Sequence, residues 1–257
     1  FPHMKKILIT NDDGIYSRGI KLLAKTLKQI GKVTVAAPLT EQSAVGHSIT
    51  MKYPLRISEV YENGEFFGYA IDGTPADCVK MGIRNIMKEK PDLVVSGINH
   101  GSNVAINIIY SGTVSAAREA AIMDAQAIAI SLTNHKPVHL ETAAKAALIV
   151  SKFVLENPLP NGVILNVNVP DIPIEQVKGF LFTKQGLSKW DDYYEERIDP
   201  YGNNYYWLKG EMLNLDDKIN ADIIAVKNNF ISITPIHFDL TEYSLLEKLQ
   251  DKKLEFN

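Results

Sequence analysis

The stretch KILITNDDG at residues 6–14 decides the fold class of this chain. Its first part is a short apolar run and its second part is rich in turn-forming residues, so a buried strand is predicted over residues 6–11, followed by a turn. Apolar residues then recur at helical spacing over residues 18–30, and a second short apolar run follows at residues 33–37. This order of elements predicts a βαβ unit and, with it, a parallel sheet.

The same alternation of apolar runs and helical patterns continues to residue 169. A β-hairpin is predicted over residues 49–72, with its turn at Glu62-Asn63-Gly64, and it is expected to project from the main sheet. The other predicted elements are strands at residues 93–96, 127–132 and 163–169, a helix after Thr74-Pro75, a helix from about Thr113 and a helix over residues 140–156. Five apolar strands separated by helices predict an α/β fold, with a mostly parallel sheet and helices on both faces.

The pattern changes after Pro170. Turn residues, aromatic residues and a late strand at residues 230–236 predict β-rich extensions and a C-terminal arm. We therefore expect a single domain over residues 4–257, with its core at about residues 4–170 and the extension and arm at about residues 171–257. Phe1-Pro2-His3, which precede Met4, are typical of a cloning remnant.

The composition excludes several classes of partner. The formal net charge of the 257 residues is -3, so the basic surface of a protein that binds duplex nucleic acid is missing, and a nucleotide is expected only as a small ligand. Cys78 is the only cysteine, which excludes an internal disulfide and favours a reducing cytoplasm. No apolar run reaches the roughly 18 residues of a membrane span, so no membrane partner is expected.

Asp12 and Asp13 directly follow the first predicted strand, at the position where open parallel sheets bind ligands. Two adjacent carboxylates repel each other, and a hard divalent cation is the simplest way to offset that repulsion. Ser43 and Asn99 follow two other predicted strands and can add neutral oxygen ligands, so the set suits Mg²⁺ or Mn²⁺. The sequence Asn-Asp-Asp-Gly also favours an ordinary turn, which stands as the alternative.

A candidate anion site lies at Ser111-Gly112-Thr113, where an alanine-rich helix is predicted to begin. Backbone N–H groups and hydroxyls at a helix start favour a phosphate, although an ordinary N-cap explains the same residues. Neither G-x-x-x-x-G-K-[ST] nor G-x-G-x-x-G after the first strand occurs, which argues against a motor, a kinase or a dinucleotide-binding protein. The first strand is also not followed by Asp-x-Asp, so we predict attack on phosphorus by a metal-activated water rather than by an aspartate.

Other residues with possible chemistry carry two interpretations each. His47 and His100 lie in the predicted site loops, where either could protonate a leaving group or simply be solvated. Cys78 lies on the apolar side of a predicted helix and is expected to be a buried hydrophobe rather than a nucleophile. The aromatic run at residues 205–207 could stack on a base or pack a hairpin, and packing is favoured. The histidines that match no motif are His135, His139 and His237.

Taken together, these motifs resemble those of a known family, the SurE (survival protein E) nucleotidases. The resemblance spans nearly the whole chain and is most specific in its first half. It runs through ILITNDDG at residues 7–14, AP at 37–38 with QS at 42–43, DGTPADCV at 72–79, PDLVVSGINHG at 91–101 and YSGTVSAA at 110–117. Weaker similarity follows in LNVNVP at 165–170 and SITP at 232–235.

The resemblance implies a Rossmann-like, three-layer α/β/α fold and hydrolysis of nucleoside 5′-monophosphates, with 3′-monophosphates and short polyphosphate as further substrates. It implies one divalent cation per subunit, Mg²⁺ or Mn²⁺ (Ca²⁺ in crystals), held by Asp12, Asp13, Ser43 and Asn99. It also implies a homodimer or homotetramer in which C-terminal segments are exchanged. The phosphate-binding residues that it implies are Gly101, Asn103, Ser111, Gly112 and Thr113.

Two regions depart from the family pattern. The loop LTEQ at residues 39–42 lacks the basic residues that many relatives carry, which leaves the contacts to base or ribose open. Glycine positions differ around residues 203–204 and 228–229. These changes concern hairpins and oligomer contacts more than the metal chemistry.

The leading hypothesis is a metal-dependent phosphatase in which Asp12 and Asp13 anchor the cation and a bound water attacks phosphorus. Asp13 or a nearby histidine could move the proton, and the sequence does not decide between them. The first alternative is a regulatory module that binds metal and nucleotide without productive turnover. The second is a nucleotide-sugar transferase, which also uses paired aspartates with Mn²⁺ but requires a sugar acceptor.

Overall fold

The computed structural model describes residues 4–252, so the predicted cloning remnant at residues 1–3 and the last five residues of the predicted arm lie outside the described residues. Within this range the strands are β1 (Lys6–Thr10), β2 (Lys32–Pro38), β3 (Ile57–Glu62), β4 (Glu65–Ile71), β5 (Leu93–His100), β6 (Ala127–Leu132), β7 (Val163–Val169), β8 (Phe180–Phe182), β9 (Ser188–Ile198), β10 (Asn204–Asn214) and β11 (Ile231–His237). The α-helices are α1 (Arg18–Leu27), α2 (Pro75–Met81), α3 (Asn107–Tyr110), α4 (Gly112–Ile122), α5 (Leu140–Glu156), α6 (Asp222–Lys227) and α7 (Tyr243–Leu249). None of the helices in the described range has the length and hydropathy that a membrane span requires.

A nine-stranded sheet in the order β3-β4-β2-β1-β5-β6-β7-β11-β8 forms the centre of the described chain. The strands from β4 to β7 in this order are parallel, whereas β3 and β11 run antiparallel to their neighbours β4 and β7. The apolar side chains of α1 and α5 pack on one face of the sheet, and those of α2 and α4 pack on the other. The predicted three-layer α/β/α fold with a mostly parallel sheet is therefore confirmed.

Two predictions of local structure were wrong. The β3–β4 hairpin does not project from the main sheet, because β4 pairs in parallel with β2 and extends the sheet at its edge. The strand predicted over residues 93–96 does not end there but continues to His100, because β5 regains its pairing with β6 after an irregularity. Asn99 is consequently held opposite Ser131 in the sheet, rather than beyond the end of the strand as predicted.

The segment after Pro170 contributes to both the core and the surface. β11 pairs with β7 and carries Ile231 and Ile233 into the core, and β8 forms the edge beside it. In contrast, β9 and β10 form a separate two-stranded sheet, and nearly all of their residues, like those of α7, are exposed. The division of the domain at about residue 170 stays a prediction, since the central sheet takes strands from both sides of that position.

Candidate active site

A cleft of about 800 Å³ lies where the carboxyl ends of the parallel strands meet, and this volume suits a small organic ligand. The residues predicted for the site that line the cleft are Asp12, Asp13, Ser43, Asn99, Gly101, Asn103 and Ser111. The two others, Gly112 and Thr113, are buried directly against Asp12. The sheet thus brings residues from three separate strand-end segments to one place, while their individual roles stay predictions.

Asp12 is 8 % exposed and faces the start of α4. The hydroxyl of Thr113 donates a hydrogen bond of 2.5 Å to its Oδ1, and the backbone N–H of Thr113 donates one of 3.1 Å to its Oδ2. Burial raises the pKa of Asp12 to about 6, although the hydrogen bond from the Thr113 hydroxyl opposes this shift; the charge of Asp13 adds to it. The fold therefore holds a carboxylate where its charged form is disfavoured.

Asp13 lies partly buried beside it. The backbone N–H of His100 donates a hydrogen bond of 3.2 Å to Oδ2 of Asp13, and the His100 Nδ1 lies 4.0 Å from Oδ1. Burial raises the pKa of Asp13 to about 6 as well, against the effect of this backbone hydrogen bond. Within residues 4–252, no lysine or arginine forms an ion pair with either aspartate, so no basic side chain there offsets their repulsion.

Neutral oxygens complete a donor set that fits a hard cation. The Asn99 amide nitrogen donates to the carbonyl oxygen of Gly101 at 2.7 Å, and its side-chain oxygen accepts no hydrogen bond from the described residues. Ser43 lies in the exposed loop after β2, where its hydroxyl donates to the carboxylate of Glu41. Residues 4–252 contain no cluster of three His, Cys, Asp or Glu suited to a metal, so neutral oxygens would have to complete a shell around Asp12 and Asp13.

Some of the hydrogen-bond donors at the start of α4 are directed at Asp12 rather than into the cleft. Ser111 caps the helix, because its Oγ accepts the N–H of Val114 at 3.1 Å, and the N–H of Thr113 is already directed at Asp12. Gly112 allows this close approach, since a Cβ there would lie 3.1 Å from the Cβ of Asp12. Among the described residues, the N–H of Gly112 and the hydroxyl hydrogen of Ser111 have no acceptor, so these donors stay available to an anion. Thr113 is fully buried with both donors on Asp12, and its direct contact with a phosphate stays a prediction.

Asn103 fixes the loop after β5 to the two neighbouring strands. Its N–H donates to Oδ1 of Asn168 at 2.8 Å, its Nδ2 donates to Oγ of Ser131 at 2.8 Å, and its carbonyl oxygen accepts Nδ2 of Asn166 at 2.8 Å. The similarity at residues 165–170, which the sequence analysis treated as weak, therefore has a structural cause. The asparagines at the end of β7 hold the backbone that carries Asn103 into the cleft.

His135 is a cleft residue that the sequence analysis missed. It follows β6 and lies against Gly101, where a Cβ would stand 2.6 Å from its Cε1. Asp171 holds the His135 loop by accepting the N–H of His139 and the Nδ2 of Asn134, each at 2.7 Å. The available signal was the position of His135 just after a parallel strand.

Of the two histidines that were predicted in the site loops, one lines the cleft and the other does not. His100 lines the cleft, and burial lowers its pKa. His47 is outside the lining: its Nε2 lies 2.8 Å from Oε2 of Glu119, whose Oε1 lies 2.5 Å from the Nζ of Lys80. Burial alone would raise the pKa of Glu119, but the hydrogen bonds from His47 and Lys80 hold it below its usual value. His47 therefore anchors the loop that bears Ser43; it is partly buried and lies outside the lining of the cleft.

The far wall of the cleft comes from the β9–β10 hairpin. The aromatic run predicted at residues 205–207 takes no part in the lining. Because side chains alternate between the two faces of a strand, the sequence could have divided the hairpin residues into two sets. It could not show which of the two sets faces the cleft. The hairpin residues that line the cleft are Trp190, Asp192, Leu208, Lys209 and Gly210.

Comparison with known proteins identifies the family. The model of the family described as Survival protein SurE matches residues 7–192. The 5′-nucleotidase SurE of Syntrophobacter fumaroxidans is 48 % identical over 244 residues, which cover 95 % of this chain and 98 % of that protein. The 5′-nucleotidase SurE of Thermosipho africanus is 46 % identical over 246 residues, which cover 96 % of each chain. The crystal structure of the SurE protein from Aquifex aeolicus matches with a TM-score of 0.83 and 40 % identity, over 95 % of this chain and 98 % of that chain. This chain therefore belongs to the survival protein SurE family.

Proposed function

We propose that this chain is a divalent-metal-dependent phosphatase that hydrolyses nucleoside 5′-monophosphates to nucleoside and phosphate. The observation that carries the proposal is the pair Asp12 and Asp13, whose pKa values burial raises to about 6 and which lack a lysine or arginine partner within residues 4–252. The pair shares its cleft with neutral oxygen donors and with a helix start that suits a phosphate. The names of the two bacterial relatives compared above, both 5′-nucleotidases, support nucleoside monophosphates as the substrate.

Asp12, Asp13, Ser43 and Asn99 would hold one divalent cation per subunit, Mg²⁺ or Mn²⁺, with Ca²⁺ able to take the same place in crystals. All four offer oxygen ligands, which these hard cations prefer. Ser43 would have to give up its hydrogen bond to Glu41 for this role. When bound, the cation would lower the pKa of a water molecule and draw charge from the phosphate oxygens.

The phosphate side of the cleft would consist of Gly101, Asn103, Ser111, Gly112 and Thr113. Ser111 and Gly112 offer donors that the described residues do not use. Thr113 would act mainly through Asp12, because its two hydrogen bonds favour the ionised carboxylate. The cleft histidines that are not proposed ligands, His100 and His135, are the groups available to exchange a proton with the leaving oxygen.

A homodimer or homotetramer with exchanged C-terminal segments is the assembly that we propose. Large apolar side chains on the hairpin and on α7 are exposed, including Tyr194, Leu245 and Leu246. Extended apolar surface of this kind favours association, and a second copy of the same chain is the partner that symmetry supplies. A reducing cytoplasm is the compartment that we propose, since the one cysteine of the chain is a buried thiol.

The test is a phosphate-release panel with metal-free protein. AMP, GMP, 3′-AMP and tripolyphosphate are each assayed with Mg²⁺, with Mn²⁺, with Ca²⁺ and with EDTA. We expect multiple turnovers on the 5′-monophosphates with Mg²⁺ or Mn²⁺, and none with EDTA. Saturable nucleotide binding without release would overturn the proposal in favour of a binding module, and turnover that requires a sugar acceptor would overturn it in favour of a transferase.

A further inference from the structure

We propose that the β9–β10 hairpin is the nucleobase-binding wall of the cleft and that the base stacks on Trp190. The inference rests on the proposed function and adds to it the part of the protein that recognises the base. The loop at residues 39–42, where the sequence left base contacts open, contributes Glu41 to the lining but no aromatic side chain. The hairpin supplies what that loop lacks.

The register of the hairpin places four of its five cleft-lining residues on one face of the two-stranded sheet. Trp190 pairs with Met212, Asp192 pairs with Gly210, and Tyr194 pairs with Leu208, so these six residues share one face of the two-stranded sheet. On that face, the residues that line the cleft are Trp190, Asp192, Leu208 and Gly210. Trp207 pairs with Glu195 and therefore belongs to the opposite face, from which Lys209 reaches the lining and Trp207 does not.

Trp190 is held in place before any ligand binds. Its Nε1–H donates to Oδ1 of Asn107 at 3.1 Å, and Asn107 itself lines the cleft. Trp190 is 40 % exposed as a residue, which leaves part of it open to a ligand beside this fixed edge. A ring whose orientation is already fixed loses little conformational entropy when a base stacks on it.

The start of the hairpin is anchored to the loop that carries the site. Asp222 accepts the N–H of Ala105 and the N–H of Gly186, each at 2.9 Å, and Oγ of Ser188 accepts the N–H of Ile106 at 3.1 Å. These bonds link the loop between β5 and α3 to the first residues of β9. The distance between the phosphate side and the hairpin wall is thereby set by hydrogen bonds rather than left to a free hairpin.

Charge distinguishes a base from a second phosphate at this wall. Among the described residues that line the cleft, Lys209 is the only lysine or arginine, and it is paired with Glu195. Asp192 adds negative charge at the same end. A further phosphate would meet an acidic, partly apolar wall, whereas a base can stack on Trp190, contact Leu208 and donate an N–H to Asp192.

The test compares substrates with and without a base. Trp190→Ala and the matched control Trp207→Ala, on the opposite face, are assayed with AMP, ribose 5-phosphate and tripolyphosphate in Mn²⁺. We expect Trp190→Ala to raise the KM for AMP about tenfold, the effect of losing one base–aromatic stacking contact. The kcat/KM for ribose 5-phosphate and for tripolyphosphate should stay within about twofold, and Trp207→Ala should stay within about twofold on all substrates. Trp190→Phe should recover most of the affinity for AMP.

Several outcomes would overturn the proposal that the hairpin binds the nucleobase. An equal loss on AMP and on ribose 5-phosphate would give Trp190 a structural role, and an unchanged KM for AMP would remove it from recognition. An effect found only with Tyr110→Ala, the other aromatic side chain of the lining, would move the base to α3. Failure of the proposed function is distinguishable, because the wild-type protein would then release no phosphate from any substrate. In that case, calorimetric binding of AMP to wild type and to Trp190→Ala still tests whether Trp190 contacts the base. We expect the variant to bind AMP about tenfold more weakly.

Discussion

The two sides of the cleft are built in opposite ways. Asp12 and the start of α4 belong to the core of the sheet, are buried, and hold their carboxylate through hydrogen bonds from Thr113. The wall of β9 and β10 is a two-stranded sheet whose residues are mostly exposed. Chemistry requires fixed groups in a dry place, whereas recognition tolerates a surface element that can change without disturbing the sheet. The difference predicts that substitutions at the core side change turnover and that substitutions at the wall change selectivity.

The largest effect is expected at Asp12. Asp12→Asn removes one of two carboxylates from the proposed cation site, so kcat/KM for AMP should fall by at least roughly a thousandfold in saturating Mn²⁺. Steady-state phosphate release measures this, and circular dichroism establishes that the variant is folded. A variant with more than a tenth of wild-type turnover would remove Asp12 from the mechanism.

Stability is expected to depend on pH through the same residue. Burial raises the pKa of Asp12 from 3.8 to about 6, so the folded protein binds a proton at Asp12 more tightly than the unfolded chain does. The stability that this proton binding contributes is complete below about pH 4 and is lost as the pH rises through 6. For metal-free protein this corresponds to roughly 3 kcal/mol of unfolding free energy. Thermal melts in EDTA should therefore show Asp12→Asn more stable than wild type at pH 7.5 and no more stable at pH 4.

Adding Mn²⁺ should reverse the order at pH 7.5, because only the wild type would gain a tightly bound ligand. A wild-type protein that melts above Asp12→Asn in EDTA at pH 7.5 would contradict the electrostatic cost assigned to the carboxylate pair. Under that result, the core side of the cleft would carry no more electrostatic destabilisation than the exposed hairpin side.

Metal affinity is expected to fall when the support of Asp12 is removed. Thr113→Val deletes the hydroxyl that donates to Oδ1, and the loss of such a supporting hydrogen bond typically weakens metal binding roughly 10- to 100-fold. Mn²⁺ titrations of activity should therefore shift to higher concentration, with kcat recovered at saturation. Ser115→Ala is the matched control, because Ser115 is buried in the same helix and its Oγ has no hydrogen-bond partner within the described residues. Equal shifts for both variants would trace the effect to packing of α4.

The smallest effect on chemistry is expected at α7. Replacing Leu245 and Leu246 with glutamate puts charge on an exposed apolar helix, so the mass measured by light scattering should fall if this segment is exchanged between subunits. Turnover of ribose 5-phosphate should stay within about twofold. An unchanged mass would exclude α7 from the proposed assembly.

The sequence was sufficient for the parts of the site that depend on local order along the chain. A short apolar run followed by two aspartates specifies a strand end, and the parallel sheet then brings Asp12, Asp13 and Asn99 to one edge. Ser43 was predicted from its place after the second strand, and the family resemblance implies the same ligand role, which stays a prediction. The hairpin at residues 49–72 was found, but its pairing with β2 was not, because alternation gives no information about which edge a hairpin joins.

The parts that could not be predicted depend on tertiary packing. Thr113 lies in a motif that indicates phosphate binding, yet α4, which packs against β5 and β6, directs the Thr113 donors to Asp12. His135 and Trp190 reach the cleft only through the order of the strands and the anchoring of the hairpin. His47 lies four residues from Ser43, but Glu119 holds it outside the cleft.

One titration decides whether the proposed site acts through a single bound cation. Metal-free wild-type protein is titrated with Mn²⁺ while phosphate release from AMP is followed, and Mn²⁺ binding is measured by calorimetry under the same conditions. We expect activity to rise from zero with the occupancy of one site per subunit, and Asp12→Asn neither to bind Mn²⁺ at this affinity nor to turn over AMP. Full turnover by the wild type in EDTA, or by Asp12→Asn at any Mn²⁺ concentration, would contradict it.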